Sequence, residues 1–242
     1  MFLKFNLPWT TIILYVIAAV LPAAVLMFYV YRKDRVEKEP GSLLRKLLLG
    51  GVLAALASIA LEFVSERLLV SYAENAQMSM SGYSLASAVS VGIIEELTKF
   101  FFLYKFSWNH KAFNYTFDGV VYAVFVSLGF ALWENIDYVV MYGFGTAMIR
   151  AVTAIPGHAC FGVFMGAWYG LAKAHQRHGH EQSSRICRRL ALICPVLLHG
   201  LYDFIATMDQ TERALYFVGF IALMFFAAYQ TIRRLARQDR YL

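Results

Sequence analysis

The sequence predicts an all-α, polytopic membrane helix bundle of about seven transmembrane helices, with the N-terminus outside and the C-terminus cytoplasmic. Three observations predict it. Hydrophobic residues make up 60% of the 242 residues and charged ones only 16%, whereas water-soluble domains carry about 25% charged residues. The apolar residues gather in runs of about 20, the helix length that crosses a hydrocarbon core of about 30 Å. Those runs lack the apolar/polar alternation of a transmembrane barrel.

The first span, 9–31, has no charged residue between Lys4 and Arg32. No small-residue cleavage pattern follows it, so it reads as a retained helix rather than a signal peptide, bent at Pro22. The second, 43–64, is clean except for Glu62 near its outer end, read as snorkelling to the interface. The third, 84–105, contains Glu95, Glu96 and Lys99, and the fourth, 117–139, contains Asp118, Glu134 and Asp137. The fifth, 150–172, carries His158; the sixth, 189–208, carries His199 and Asp203, with Pro195 one turn before the histidine; the seventh is 214–232. The segments 65–83 and 173–188 are too short to fold alone, so residues 1–242 form a single integral-membrane domain.

Orientation follows the cations. Arg32, Lys33, Arg35, Lys38, Arg45 and Lys46 follow span one, Lys105 and Lys111 follow span three, and Lys173, Arg177, Arg185, Arg188 and Arg189 follow span five. Arg233, Arg234, Arg237 and Arg240 end the chain on that same side, while Lys4, Arg67, Arg150 and Arg213 fall opposite. The net charge of +6 is therefore topology, and no nucleic-acid partner is needed to explain it. Cys160, Cys187 and Cys194 are an odd number without C-x-x-C spacing, which gives no disulfide framework and no thiolate zinc site. His175, His178 and His180 lie in a basic loop and read as solvated.

A charge at mid-bilayer costs at least about 2.5–3.5 kcal/mol, so each intramembrane ionisable group needs a reason. At 1.5 Å per residue, Glu95, Glu96 and His199 lie roughly 13–15 Å from the cytoplasmic ends of their helices. His158 and Asp203 lie at about 20 Å and Glu134 at about 25 Å by the same count. Four helices thus place acids or imidazoles in one slab. On span five, Gly162, Gly166 and Gly170 follow His158 at i+4 steps, a small-residue ridge for close helix packing. His199 and Asp203 are i, i+4, so the carboxylate can orient the imidazole or join it on a metal. Glu95 and Lys99 are i, i+4 in the favourable order, which leaves Glu96, about 100° away, as the freer carboxylate.

One paired and one free carboxylate suit general-base work on water. Two histidines with a carboxylate suit Zn²⁺, with a further carboxylate to take the water's proton. The same groups could form a proton or ion pathway in a transporter, or a polar network that glues helices. No inverted repeat is visible, however, and the groups form a slab rather than a chain across the bilayer.

Read in order, the polar strings are Glu95-Glu96-Leu-Thr-Lys99, Phe117-Asp118-Gly119 with Tyr122, Gly129-Phe130-Ala131 with Glu134-Asn135, Arg150, Pro156-Gly157-His158, and His199-Gly200-Leu-Tyr-Asp203. Together, over about residues 84–208, they resemble the PrsW family of intramembrane proteases, related to the CAAX prenyl endopeptidases. The resemblance implies a multi-pass endopeptidase of the bacterial cell membrane that cuts a membrane-anchored protein. The family's best-known role is the first, extracytoplasmic cut in an anti-sigma factor. Its catalytic carboxylates fall on Glu95 and Glu96 and its histidines on His158 and His199. Phe130-x-x-x-Glu134 stands where the wider group has Phe-x-x-x-His. The expected site is Glu95 or Glu96 as base, with His158, His199 and Glu134 on Zn²⁺ or stabilising the oxyanion, and Asp203 orienting His199. An inactive substrate-binding scaffold is the reading that full motif blocks disfavour.

Overall fold

The computed structural model describes residues 9–208 and 210–242; Lys4, counted above on the outer side, lies outside them. The described residues form eight helices: α1 (Trp9–Lys33), α2 (Gly41–Asn75), α3 (Met80–Ser107), α4 (Asp118–Tyr142), α5 (Phe144–Val152), α6 (Ala154–Arg177), α7 (Glu181–Ala206) and α8 (Gln210–Arg237). Seven of these have 24 residues or more and correspond one to one with the seven expected spans.

The eighth, α5, is new. Gly143, at φ 81°, breaks the chain after α4, and the nine residues of α5 lead into α6. The expected start of span five, at residue 150, falls inside this short helix. Helix α2 also runs well past its expected end, to Asn75. Among the described residues, five stretches are long and apolar enough to cross a membrane by length and composition: α2, α4, residues 144–177, α7 and 214–237. In helix α3 the charged residues Glu95, Glu96 and Lys99 interrupt the apolar run in its middle.

Helix α4 is the centre of the bundle. Residues 118–131 are buried on every face apart from Phe125, which only a helix with neighbours all round achieves. Its main partners are α6 and α2, while α7 packs against α6 and α3. The expected glycine ridge is the α4–α6 seam. A Cβ on Gly166 would stand 2.5 Å from the Gly119 carbonyl oxygen and from Val120 Cα, so the two backbones touch there. Ser58 bonds Thr98 at 2.8 Å and Ser65 bonds Ser90 at 2.6 Å, fastening α2 to α3 with hydroxyl pairs. Large apolar side chains such as Leu49, Phe63, Leu68, Leu197 and Leu223 are exposed on the outer helices, the surface a bilayer would cover.

At one end of the bundle, the tail folds back onto the α3–α4 connection. Thr116 N–H donates to the Arg240 carbonyl, Leu242 N–H to the Asn114 carbonyl, and Tyr115 pairs with Tyr241 in an isolated β-bridge.

Candidate functional site

One turn of α3 supplies Glu95, Glu96 and Lys99. Spacings of three and four residues bring both carboxylates to the ammonium: Lys99 Nζ donates to Glu95 Oε2 at 3.0 Å and to Glu96 Oε1 at 2.8 Å. Its third contact is His158 Nδ1 of α6 at 3.1 Å, and it stands 3.9 Å from the centre of the Phe130 ring of α4. An ammonium has three protons to give, and here three acceptors take them. That explains how Lys99 and Glu96 can both be fully buried, because a charge leaves water only when paired and hydrogen-bonded.

Each histidine is held by a carboxylate on one ring nitrogen. His199 Nδ1 lies 2.9 Å from Glu96 Oε1. Its Nε2 faces two further carboxylates, 3.8 Å from Glu95 Oε2 and 3.5 Å from Asp203 Oδ2. His158 Nε2 lies 2.8 Å from Glu134 Oε2 of α4. The same Glu134 oxygen is 2.9 Å from Arg150 Nη2, whose guanidinium covers the Tyr138 ring at 3.8 Å. The two imidazoles meet edge to face at 5.3 Å, and Phe161 stacks on His199 at 4.7 Å.

A cavity of about 540 Å³ adjoins this cluster. Glu95, Glu134, His158, His199 and Asp203 line it, and Arg150 stands at its wall. The remaining walls come from the C-terminal parts of α2, α4 and α7 and the N-terminal parts of α3 and α6. The cavity therefore lies toward the end of the bundle opposite the cation-rich connections.

The structure brings all six expected site residues to one place but redistributes them. Glu95, not Glu96, faces the cavity, because Glu96 is turned into the protein between Lys99 and His199. The carboxylate nearest His199 is accordingly Glu96, at 2.9 Å, with Asp203 more distant at 3.5 Å. Glu134 stands behind His158, paired with Arg150, rather than beside both histidines. Glu62, read from sequence as snorkelling to the interface, lines the cavity instead, and its Oε1 is buried without a hydrogen-bond partner. Its lone position in an otherwise apolar span was the only sequence signal for it.

Glu95, Glu96, His158 and His199 each offer a donor atom within 4.8 Å of the others. Two imidazoles with two carboxylates are a set that suits Zn²⁺. Glu96 Oε2 is buried with no hydrogen-bond partner, so one carboxylate oxygen of the group is held in reserve. His158 has both nitrogens engaged and would have to exchange Lys99 for an ion to take part. The donor set fits a metal on these terms.

Residues 39–229 match the model of a family described as PrsW family intramembrane metalloprotease. The chain is 30% identical over 217 residues to the protein named Protease PrsW of Oceanobacillus iheyensis, covering 90% of this chain and 94% of that protein. It is 32% identical over 218 residues to that of Geobacillus kaustophilus, covering 90% of each. With that of Bacillus subtilis it shares 34% identity over 190 residues, 78% of this chain and 81% of the relative. No solved structure matches.

Proposed function

The chain belongs to the PrsW family of intramembrane metalloproteases and is a multi-pass membrane protease; on that premise we propose that it hydrolyses a membrane-anchored protein at its extracytoplasmic side, with Glu95 as the general base. The observation that carries the reading is the position of Glu95. It is the carboxylate of the pair that lines the cavity, while its neighbour Glu96 is committed to Lys99 and His199.

The residues divide the work as follows. Glu95 takes a proton from water as that water attacks the scissile carbonyl, then gives it to the departing amine. Lys99 holds Glu95 by one oxygen and keeps the two carboxylates side by side. Glu96 fixes the ring and tautomer of His199, the role a carboxylate plays behind a metal-bound histidine. Glu134, clamped by Arg150, does the same for His158. His158 and His199, with Glu96, would hold Zn²⁺, which when bound would supply Lewis acidity to the scissile carbonyl and leave Glu95 free to take the water's proton. The aromatic wall of Phe130 and Phe161 keeps bulk water from the buried side of the cluster.

The side of the cut is supported by the charge distribution. Basic connections are retained in the cytoplasm, and the cavity lies at the other end of the bundle. A membrane protein with its cleavable bond just outside the bilayer, such as an anti-sigma factor, fits that placement.

The test is co-expression with a membrane-anchored substrate tagged at both ends. Glu95→Gln is expected to lower cleavage by about 10²–10⁴-fold while the protein still inserts and folds. Full cleavage by Glu95→Gln, or cleavage confined to sites on the cytoplasmic side, would overturn the assignment.

A further inference from the structure

Arg185, Arg188, Arg189 and Leu192 fall at i, i+3, i+4 and i+7 along α7, so they share one face of that helix. Phe100 and Tyr104, one turn apart on α3, stand across from it. These six residues line a recess of about 470 Å³ at the cation-rich end of the bundle, away from the catalytic cavity. Aromatic stacking stiffens its wall. Tyr104 lies on Trp108 with ring centres 5.2 Å and planes 20° apart, and the Arg188 guanidinium stands over the same Trp108 ring at 5.0 Å.

The recess carries positive charge that the protein leaves largely unanswered. Behind Trp108, Lys173 is buried and donates to two neutral acceptors, the Trp108 carbonyl at 2.7 Å and Gln176 Oε1 at 2.9 Å. The charges of Arg177 and Arg188 act on it from close by. Among the described residues Glu181 is the carboxylate paired with this group, and it meets Arg188 alone, at 3.1 Å. Arg185 and Arg189 are exposed and, among the described residues, form no ion pair. A guanidinium presents a planar fork of N–H donors that matches two oxygens of a phosphate, and here two such forks stand one turn apart beside a third.

The apolar surface next to the recess selects the kind of phosphate. Arg189, Ile193 and Leu197 follow one another at i+4 steps on α7, and on α3 Phe101 and Leu97 continue the line from Tyr104; all four apolar side chains are exposed. Two apolar stripes thus lead from the arginines toward the middle of the bundle, where a free phosphate would leave them uncovered and acyl chains would not. We infer that the recess seats the headgroup of an anionic phospholipid of the phosphatidylglycerol kind, from the leaflet at the cation-rich end. Arg185 and Arg189 hold the phosphate, and the chains lie along the α3 and α7 stripes. Basic pockets between membrane helices on the cytoplasmic side recognise anionic headgroups in this way, whereas a zwitterionic headgroup would bring its own ammonium against the arginines. Helices α3 and α7 are also the pair that brings Glu96 to His199 at 2.9 Å, so a seated lipid braces the two helices beneath the catalytic cluster.

The test is native mass spectrometry of the full chain released from micelles doped with equal amounts of phosphatidylglycerol and phosphatidylcholine of identical acyl chains. The parent is expected to retain phosphatidylglycerol preferentially. Arg185→Gln combined with Arg189→Gln should lower that preference roughly 25-fold, about fivefold for each arginine. Arg45→Gln combined with Arg237→Gln removes two exposed arginines of the same end outside the recess and should leave the preference intact, which separates a site from the net charge of that end. A phosphatidylglycerol with a photoreactive headgroup needs no variant: on the parent it is expected to label residues 100–108 and 185–192. Excess inorganic phosphate should not displace the lipid. No preference in the parent, an equal loss in the two double variants, labelling confined to other segments, or displacement by inorganic phosphate would each overturn the inference.

Discussion

Helix α4 joins two polar clusters that solve the same problem in opposite ways. Near its C-terminal end Glu134 belongs to a group in which Lys99, Arg150 and two histidines stand among the carboxylates Glu95, Glu96, Glu134 and Asp203. At its first residue, roughly 24 Å away along the axis, Asp118 lies with Asp34, Glu37, Glu39 and Asp239, and among the described residues none of these five forms an ion pair with a cationic side chain. The first cluster adjoins a cavity and presents Glu95 to it. The second satisfies its oxygens only in part with backbone N–H and hydroxyl donors, and both Asp34 oxygens are buried without a partner. Buried charge is kept only when compensated. The comparison teaches that buried carboxylates held by cationic side chains can form a reactive site, whereas buried carboxylates that keep their protons form a fastener.

The largest effect should come from breaking the balanced cluster. Lys99→Met would leave Glu95 and Glu96 side by side without their ammonium, and removing one partner from a buried charged network costs about 3–5 kcal/mol. Chemical denaturation in detergent reads this directly. A loss below about 1 kcal/mol, the scale of an exposed pair, would mean that the three-acceptor arrangement is not what holds α3 to α6.

A smaller loss is expected from the seam that spaces the clusters. The methyl of Gly166→Ala would meet the α4 backbone at Gly119 and Val120, and overpacking of this kind costs about 1–3 kcal/mol. The seam sets the spacing of α4 and α6, which carry Glu134 and His158, so cleavage should weaken along with stability. Full cleavage at reduced stability would mean that the seam does not position these two residues.

The smallest effect sharpens the second cluster. Burial pushes the Asp34 carboxyl up to about 6 and that of Glu39 up to about 7, in each case as the main cause. Lys38 offsets Asp34 in part, while Glu37 and Asp239 add to its rise; the Tyr122 and Asp118 contacts offset Glu39, while Asp34 and Glu37 add to it. Unfolded Asp and Glu titrate near 4. Between those values the folded chain retains protons that the unfolded chain has released, so stability present below about pH 4 is lost as pH rises through 6 and 7. Tm of the parent should therefore fall from pH 4.5 to 7.5 more steeply than that of Asp34→Asn. Equal slopes would show that Asp34 does not hold a proton in the fold.

Much of this was legible in the sequence. Seven long helices, their order, the α4–α6 glycine seam and the meeting of Glu95, Glu96, Glu134, His158, His199 and Asp203 all follow from apolar run length, i+4 spacing and the cost of charge in hydrocarbon. These are local properties, or consequences of the bilayer as solvent, and a chain carries them without reference to its final packing. Only the tertiary structure decided which way each group turned. Glu95 and Glu96 are adjacent, so their facing is set by how α3 is rotated between α2 and α7, and helix spacing alone assigned the free carboxylate to the wrong one. The same rotation gave His199 to Glu96, and the packing of α2 sent Glu62 into the cavity. The acidic group was hidden for a related reason: residues 34, 39, 118 and 239 are far apart in sequence, and only the docking of the tail and two connections onto the start of α4 makes them neighbours.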